Sequence, residues 1–276
     1  MTLRDQHVLV TGGSSGIGLA IARRCALAGA RVSLLARDPA KLASAAESIR
    51  AAAPGARVAV ASADVSAEPQ VLPALALLQS ELGPVDVLVA SAGVSMPGYF
   101  EEIPVEVFER SMAVNYLGVV YPAKALVPGM RQRRRGAIVI ISSGVGLVGI
   151  FGYTPYAPTK FALRGLAESL RSELRSSGVG VTIVYPPDTQ TPQLEQENAT
   201  KPAETRALTA AGGTWTADAV ARAAVTGLER GRFAVTPGLS MTALGAFHSV
   251  LGPLIRWGCD RIAQRARAVH GKGGPA

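Results

Sequence analysis

The amino-acid sequence predicts an α/β fold, a single Rossmann-like doubly wound parallel sheet flanked by helices. Three observations predict it. Apolar runs alternate with helical patterns, and most of these runs are continuously apolar, as in strands buried on both faces of a sheet. A glycine-rich turn at residues 11–18 follows the first run. The chain has 276 residues, 48% hydrophobic and 17% charged, which suits one large domain.

The elements follow one another in regular order. The first strand contains Val8, Leu9 and Val10, and the first helix starts within the glycine-rich turn. The predicted strands cover residues 7–11, 31–36, 57–62, 85–90, 136–142 and 180–185. The predicted helices cover residues 16–28, 39–53, 68–82, 104–131 and 155–176, and a helix near 216–230 and a short strand near 233–236 close the sheet. Each crossover is long enough for a right-handed βαβ unit, so ligands are expected at the carboxyl ends of the strands.

A substrate lid is expected within the main domain, which covers residues 1–237. The lid segment, residues 188–213, follows the sixth strand and combines Pro, Thr, Asn and Gly with apolar Leu194 and Leu208. Such a segment could enclose an acyl chain and exclude water, or it could be a mobile loop.

The remaining residues, 238–276, form a hydrophobic and then basic extension, for which we expect helices. Residues 237–255 carry no formal charge apart from a possibly protonated His248. The arginines that follow are Arg256, Arg261, Arg265 and Arg267. A spanning helix needs about 20 apolar residues, and the glycines and proline of this stretch weaken that interpretation. Peripheral membrane contact through residues 238–267 is favoured, and the alternative is a helix buried in a homo-oligomer interface.

The charge distribution limits the classes of partner. A net charge of +8 suits an anionic cofactor or a negative membrane surface. The densest basic run, Arg131 and residues 133–135, lies at the end of a predicted helix, where cations are favourable, so we expect a solvated helix end. No nucleic acid is expected as a partner, because no recognised module or stacking aromatics accompany the charge.

The cysteines indicate neither a disulfide framework nor a metal site. Cys25 and Cys259 have no neighbours with metal-ligand spacing, so reduced structural thiols are expected. The first strand begins almost at the first residue, which leaves no room for a signal peptide. We therefore expect a cytoplasmic protein, which could work at the cytosolic face of a membrane.

Tyr156 and Lys160 suggest hydride chemistry when they are considered together with the glycine-rich turn. Their spacing of four residues places both side chains on one face of a helix. A phenol has a pKa near 10, so an adjacent ammonium would favour the phenolate and ease proton transfer at neutral pH.

The glycine-rich turn favours a nucleotide site. Glycines permit a tight turn and let the backbone approach a pyrophosphate, while the next helix presents its N-terminal amides to the anion. A purely steric need for glycine is the alternative. The candidate binding residues are Gly12, Ser14, Ser15, Gly16, Ile17 and Gly18.

The end of the second strand favours NADPH over NADH. A carboxylate there would bond the ribose 2′-hydroxyl of NAD, whereas Arg37, with Ser14 and Lys41, offers partners for the extra phosphate of NADP. The alternative is that Arg37 simply solvates a loop and does not select NADPH. Asp38, a carboxylate one residue later, keeps this alternative open.

Two further strand ends offer cofactor contacts. Asp64 and Val65 follow the third strand and could frame the adenine ring, although Asp64 could equally cap a helix. Ala92 and Gly93 follow the fourth strand and could pass beneath the cofactor.

The sequence resembles the short-chain dehydrogenases/reductases over residues 7 to about 237. The matching residues are Thr11-Gly-x-x-x-Gly16-x-Gly18, Asn115, Ser143 and Tyr156-x-x-x-Lys160. The resemblance implies that Ser143 holds the substrate oxygen, that Tyr156 exchanges the proton, that Lys160 bonds the nicotinamide ribose, and that Asn115 organises a water-linked proton path. Taken singly, Ser143 could be a loop cap and Asn115 a buried helix kink.

A narrower resemblance is to the 3-ketodihydrosphingosine reductase branch, through residues 115–118, 151–156, 161–168, 185–192 and 197–205. It implies NADPH-dependent reduction of a long-chain lipid ketone, 3-ketodihydrosphingosine, to dihydrosphingosine in sphingolipid synthesis. It also implies cofactor contacts at Pro186, Thr189 and Thr191. Pro158 departs from the family pattern but falls in a first helical turn, where proline is tolerated. Ser91 stands where the wider family usually has Asn, which could alter support of the central helix.

Two other functions stay open. One is a short-chain reductase of another lipid ketone, a steroid or a 3-oxoacyl thioester, and the other is a non-enzymatic NADPH-binding module. No carboxylate can be assigned to a substrate amine: Glu195 and Glu197 are candidates, but solvated positions are favoured for both.

Overall fold

A computed structural model describes residues 1–210 and 213–270. Lid residues 211–212 and residues 271–276 of the C-terminal extension lie outside the described residues. The centre of the molecule is a seven-stranded parallel sheet in the order β3-β2-β1-β4-β5-β6-β9. Its strands are β1 (His7–Thr11), β2 (Arg31–Ala36), β3 (Val58–Ser62), β4 (Val87–Ala90), β5 (Gly136–Ile141), β6 (Val179–Val184) and β9 (Ala234–Val235). The order reverses between β1 and β4, which confirms the predicted doubly wound topology.

Two apolar layers cover the sheet because alternate strand residues face opposite sides. Leu9, Leu88 and Ile138 belong to one layer, and Val8 and Val87 belong to the other. The first layer contains residues of α3 (Glu68–Leu82), α5 (Gly118–Gln132) and α6 (Ala157–Leu174), and the second contains residues of α1 (Gly16–Leu27), α2 (Pro39–Ala52) and α9 (Ala217–Glu229). Burial on both faces explains why the strands are continuously apolar in sequence.

The helix predicted at residues 104–131 is not uniform. Its path contains α4 (Val105–Met112), one π-helical turn (Ala113–Leu117) and then α5. The wider turn contains Asn115, whose side chain is fully buried. Single π turns often occur at functional sites, and periodicity alone does not reveal them because they add only one residue to a turn.

The segment predicted as a lid is folded rather than irregular. It contains β7 (Thr189–Gln190), α7 (Pro192–Thr200) and α8 (Ala203–Ala210), and β7 pairs in parallel with β8 (Trp215–Thr216). Pro192 occupies the first turn of α7, and Thr191 caps that helix by accepting a hydrogen bond from the amide of Leu194 at 3.2 Å. Turn-forming residues in this segment therefore start helices as well as loops.

The C-terminal extension forms two helices, α10 (Leu239–Phe247) and α11 (Gly252–His270). Helix α11 packs against α8, where Arg267 Nε lies 2.7 Å from Glu204 Oε1. Over residues 1–210 and 213–270, no helix combines the length and apolar character needed to cross a membrane. The basic C-terminal segment is thus partly engaged with the lid.

The arginine run at the end of α5 is exposed, as predicted, and two of its members also contact another segment. Arg133 donates to the carbonyl of Val85 at 2.8 Å, and Arg135 lies 2.9 Å from the buried carboxylate of Asp86. The prediction of a solvated helix end is confirmed, and the segment just before β4 supplies these two arginines with acceptors that are distant in sequence.

Candidate active site

One cleft of about 380 Å³ opens at the carboxyl edge of the sheet. Every cofactor-site candidate from the sequence lines it: Gly12, Ser14, Ser15, Gly16, Ile17, Gly18, Arg37, Lys41, Asp64, Val65, Ala92, Gly93, Tyr156, Lys160, Pro186, Thr189 and Thr191. Ser143 also lines the cleft, whereas Asn115 is fully buried and does not line it. Parallel strands bring these distant segments together because their carboxyl ends share one edge.

The glycine-rich turn needs glycine for steric reasons and still leaves room for an anion. Gly12 and Gly16 have φ angles of +66° and +55°, and a Cβ on Gly12 would lie 2.7 Å from the Ala92 Cα. Ser15 is the N-cap of α1 but makes no side-chain cap hydrogen bond. The first amides of this helix therefore lack a side-chain acceptor, and such amides suit a phosphate.

Asp38 is committed to a structural role. Its carboxylate caps α2 by accepting hydrogen bonds from the amides of Ala40 and Lys41 at 3.0 and 3.1 Å. Arg37 is exposed at the rim of the cleft, and Lys41 Nζ lies 4.0 Å from Asp38 Oδ2. The end of β2 thus presents two cationic groups and one carboxylate to the cleft, and the carboxylate also caps α2 through Oδ1.

Asp64 also has local partners. It accepts hydrogen bonds from the amide and hydroxyl of Ser66 at 2.9 and 2.6 Å. Burial favours the neutral acid, but these hydrogen bonds and the charges of Arg37 and Arg110 outweigh it and lower the Asp64 pKa. Asp64 stabilises the turn before α3 and lines the cleft, but it does not cap that helix, whose N-cap is Ala67. Its contact with an adenine ring stays a prediction.

Asn115 connects three segments around the π turn. Its Oδ1 accepts from the amide of Val94 at 2.8 Å, and its Nδ2 donates to the carbonyl of Val94 and to Thr159 Oγ1, both at 3.0 Å. Thr159 Oγ1 in turn donates to the carbonyl of Tyr156 at 2.7 Å. The amide therefore links the loop after β4 to the first turn of α6.

Tyr156 and Lys160 lie on the first turn of α6, as their spacing predicted. The Lys160 amide donates to the Tyr156 carbonyl at 3.3 Å, and Pro158 is accommodated in this first turn. Lys160 Nζ donates to the carbonyl of Ile141 at 3.0 Å and lies 5.3 Å from the centre of the Tyr156 ring. The ammonium is thus held beneath the phenol by the end of β5.

Burial dominates the acid–base character of this pair. Burial, aided by the charge of Glu197, raises the Tyr156 pKa, while the Ser143 hydroxyl and the Gln193 amide oppose the rise. Burial lowers the Lys160 pKa to about 8, and Glu197 opposes this change. The expectation that Lys160 holds the Tyr156 pKa down is not met, because desolvation of the phenolate is the larger effect.

Ser143 lies two residues after β5 and caps the short 3₁₀ turn that follows. Its hydroxyl accepts from the amide of Val145 at 3.4 Å. A Cβ on Gly144 would lie 3.0 Å from the sulfur of Met241, which is buried on α10. The C-terminal extension therefore packs Met241 against the turn that follows Ser143, a contact that the sequence did not suggest.

Glu197 is the site residue that sequence reasoning placed wrongly. Its side chain is buried and lines the cleft, whereas Glu195 on the same helix is exposed as expected. Glu197 Oε2 accepts from the Tyr153 hydroxyl at 2.8 Å, and Oε1 accepts from Gln193 Nε2 at 2.9 Å. The spacing of Gln193, Glu197 and Lys201 along one helical face was the available signal.

Comparison with known proteins agrees with this arrangement. The family profile described as "short chain dehydrogenase" matches residues 6–202. The chain belongs to the short-chain dehydrogenase family. Family members bind NAD or NADP, and the chain is an oxidoreductase of this family.

Two curated short-chain dehydrogenases show where in the family the chain falls. It is 43% identical over 257 residues to the 3-dehydrosphinganine reductase of Danio rerio, covering 92% of this chain and 77% of that protein. It is 45% identical over 236 residues to the 3-ketodihydrosphingosine reductase of Bos taurus, covering 84% of this chain and 71% of that protein.

A solved structure supports the fold. A short-chain dehydrogenase/reductase from Burkholderia phymatum, crystallised in complex with NAD, is 24% identical and has a TM-score of 0.81. The match covers 92% of this chain and 96% of that one. At this identity, the likeness establishes the shared fold.

Proposed function

We propose that this protein reduces 3-ketodihydrosphingosine to dihydrosphingosine, with NADPH as the reductant and Tyr156 as the proton donor. The observation that carries the proposal is 43–45% identity to reductases named for this substrate. The cleft holds Ser143, Tyr156 and Lys160 together, which supports an enzyme over a non-enzymatic binding module. The sphingoid ketone is thus preferred over a steroid or an acyl thioester.

The preference for NADPH rests on the end of β2. The additional phosphate of NADP needs cations, and Arg37 and Lys41 line that part of the cleft. A carboxylate would disfavour this phosphate, and Asp38 also lines the cleft, but its Oδ1 caps α2 and its Oδ2 lies 4.0 Å from Lys41 Nζ. Gly12, Gly16 and the uncapped start of α1 form a cradle for the pyrophosphate.

The reaction adds a hydride and a proton to the ketone, and the bound cofactor supplies the hydride. Ser143 and Tyr156 donate hydrogen bonds to the ketone oxygen, and Tyr156 transfers its proton as negative charge develops there. A buried phenol with a raised pKa is a stable proton carrier in the resting site. Lys160 supplies a buried positive charge, which stabilises the phenolate left after transfer.

Asn115 is proposed to position this machinery and to support a water-linked path for the returning proton. Its side-chain amide is engaged with Val94 and Thr159, which holds the first turn of α6 against the loop after β4. Correct placement of Tyr156 depends on this turn. If Tyr156 were displaced from its position against the substrate in even part of the protein molecules, turnover would fall.

We further propose that the C-terminal helices make peripheral contact with a membrane. Phe247, Leu254 and Trp257 are 54%, 66% and 61% exposed, and the Arg261 guanidinium lies 5.1 Å from the centre of the Trp257 ring. Apolar and aromatic groups beside arginines suit the interface of an anionic bilayer. From this side a lipid substrate would approach the turn after Ser143, against which Met241 packs. A homo-oligomer that buries the same surface is the alternative.

The first experiment follows NADPH oxidation by the purified protein in detergent micelles. It compares 3-ketodihydrosphingosine with a 3-oxoacyl thioester, and NADPH with NADH. We expect preferential reduction of the sphingoid ketone by NADPH, with dihydrosphingosine identified as product. Preference for the thioester, or no turnover of the sphingoid ketone, would discard this substrate.

A further inference from the structure

A buried carboxylate lies beside the proposed proton donor and is not used by the reduction itself. Glu197 is 7% exposed and lines the same cleft as Tyr156. Its charge acts on both Tyr156 and Lys160, for it opposes ionisation of the phenol and favours the protonated amine. A negative charge at this position disfavours the phenolate that proton donation leaves behind, so the reduction alone does not explain it.

The hydrogen-bond donors nearest to Glu197 are neutral. Tyr153 and Gln193 donate to its two oxygens at 2.8 and 2.9 Å. The buried ammonium of Lys201 lies 3.1 Å from Asp188 but 3.9 Å from Glu197, so it is paired chiefly with Asp188. Two carboxylates, Asp188 and Glu197, thus share one ammonium. An excess of negative charge in a buried site is costly, which favours binding of a second cation beside Glu197.

A second polar group in the cleft has no protein partner. The Ser95 hydroxyl is buried and makes no hydrogen bond within residues 1–210 and 213–270, and Ser95 lines the same cleft. An unpaired buried hydroxyl calls for an explanation, and a polar substrate group is one. The cleft therefore offers a further hydrogen-bonding group, the Ser95 hydroxyl, besides the residues that contact a ketone oxygen.

We propose that Glu197 binds the ammonium group of an α-amino ketone and so selects the substrate. This inference rests on the proposed function. In such a ketone, the carbon that carries the ammonium is bonded to the carbonyl carbon, so oxygen at Tyr156 places the cation next to the proton donor. The Tyr153 hydroxyl and the Gln193 amide orient the carboxylate, and Glu197 is a specificity-determining residue rather than a proton carrier.

The test compares 3-ketodihydrosphingosine with the matching 1-hydroxy-3-ketone that lacks the amine. Wild-type protein should prefer the amino ketone by kcat/KM. Glu197→Gln keeps the size of the side chain and an acceptor for Tyr153 but removes the charge. We expect it to reduce that preference by about 30-fold or more, as for removal of one partner of a buried charge pair.

Glu195→Gln is the matched control, because Glu195 is an exposed residue on the same helix and its substitution removes the same charge. Its preference should equal that of the wild type. An equal loss of activity of Glu197→Gln on both ketones would indicate a structural role and overturn the assignment. If the variant does not fold, the wild-type protein alone tests the inference. Equal wild-type kcat/KM values for the two ketones would exclude recognition of the amine, while the proposed ketone reduction would be retained. Wild-type protein that reduces neither ketone would refute the proposed function and this inference with it.

Discussion

At the scale of single residues, the environment of Tyr156 differs from what its sequence spacing suggested. The phenol is 9% exposed, and its ring centre lies 5.5 Å from that of Tyr153. Lys160 is close, but burial of the phenol and the charge of Glu197 raise the Tyr156 pKa. Tyr156 is therefore held as a neutral proton donor, which fits the direction of a ketone reduction.

Substitution Tyr156→Phe should remove the proton donor with little change in packing. We expect kcat to fall by at least about 100-fold, because a fixed donor at a developing oxyanion contributes about 3 kcal/mol or more. Binding of NADPH, measured by fluorescence titration, should be retained. Tyr121→Phe on α5 is the control, and full activity of Tyr156→Phe would refute the role of the phenol.

Arg37 carries the prediction about the cofactor. Arg37→Gln should lower kcat/KM for NADPH by about 10-fold or more while that for NADH changes little, since a charge-assisted hydrogen bond contributes about 1.5–3 kcal/mol. Arg23→Gln, at an exposed position of α1, should leave the ratio unchanged. A ratio that stays constant in Arg37→Gln would show that this arginine only solvates a loop.

At the scale of elements, the C-terminal helix stabilises the lid. Arg267 on α11 bonds the buried carboxylate of Glu204 on α8, and its guanidinium lies 5.0 Å from the ring centre of Phe151. Burial favours the neutral form of Glu204, but hydrogen bonds from Arg267 and Tyr99 outweigh it and lower its pKa. The lid, the extension and the loop before α6 therefore meet around one carboxylate.

Loss of this contact should loosen the lid. Arg267→Gln leaves Glu204 with a weaker partner, so we expect the free energy of unfolding to fall by about 1–2 kcal/mol, reduced because Arg267 is half exposed. Limited proteolysis should cut the lid segment faster. Arg265→Gln, at an exposed position of the same helix, is the control. Equal cleavage rates for the two variants would contradict the proposed contact.

At the scale of the whole molecule, the two edges of the sheet have different tasks. The carboxyl edge holds the cleft, and the amino edge holds a buried polar cluster. There His7 contacts the carbonyl of Gly83 at 2.6 Å and Ser33 Oγ at 2.8 Å, and the His7 amide donates to Asp86 at 3.0 Å. Arg135 completes this cluster from the end of α5.

The His7 cluster should make stability depend on pH. Burial lowers the His7 pKa from 6.5, while the Gly83 carbonyl and the Asp86 charge oppose the change. As pH falls, the unfolded chain binds its proton first, so stability is full above about pH 6.5 and is lost below it, by up to about 1.4 kcal/mol per pH unit.

Denaturant unfolding at several pH values tests this dependence. The His7→Gln variant should be less stable than the wild type at pH 7.5, and its stability should fall less steeply between pH 6.5 and 5.5. Parallel curves for the two proteins would show that His7 does not contribute to the acid sensitivity.

The exposed apolar surface of α10 and α11 predicts membrane binding by the whole molecule. Wild-type protein should sediment with vesicles that contain anionic phospholipid, and less with purely zwitterionic vesicles. The double substitution Leu254→Ser and Trp257→Ser should weaken binding. Leu27→Ser, which removes a 60% exposed leucine from α1, should not. Unchanged sedimentation of the double variant, with a change in oligomer size, would favour a subunit interface.

Much of the fold followed from local patterns. Continuous apolar strands, helical periodicity and the glycine-rich turn predicted the doubly wound sheet, because burial on both faces imposes those patterns directly. The parallel order then implied that Ser143, Tyr156 and the turn share one edge. The π turn at Asn115 escaped prediction, since it depends on hydrogen bonds to Val94 and Thr159 in other segments.

The sequence by itself determined the fold class, the cofactor-site candidates that line the cleft and the family. Only the tertiary structure decided that Glu197 is buried beside Tyr156, that Asp38 caps a helix, and that Arg267 holds the lid. The physical reason is the distance along the sequence over which each interaction acts. Strand burial and turn geometry are set by neighbours in sequence, whereas the charge environment of a side chain depends on which distant groups exclude water from it.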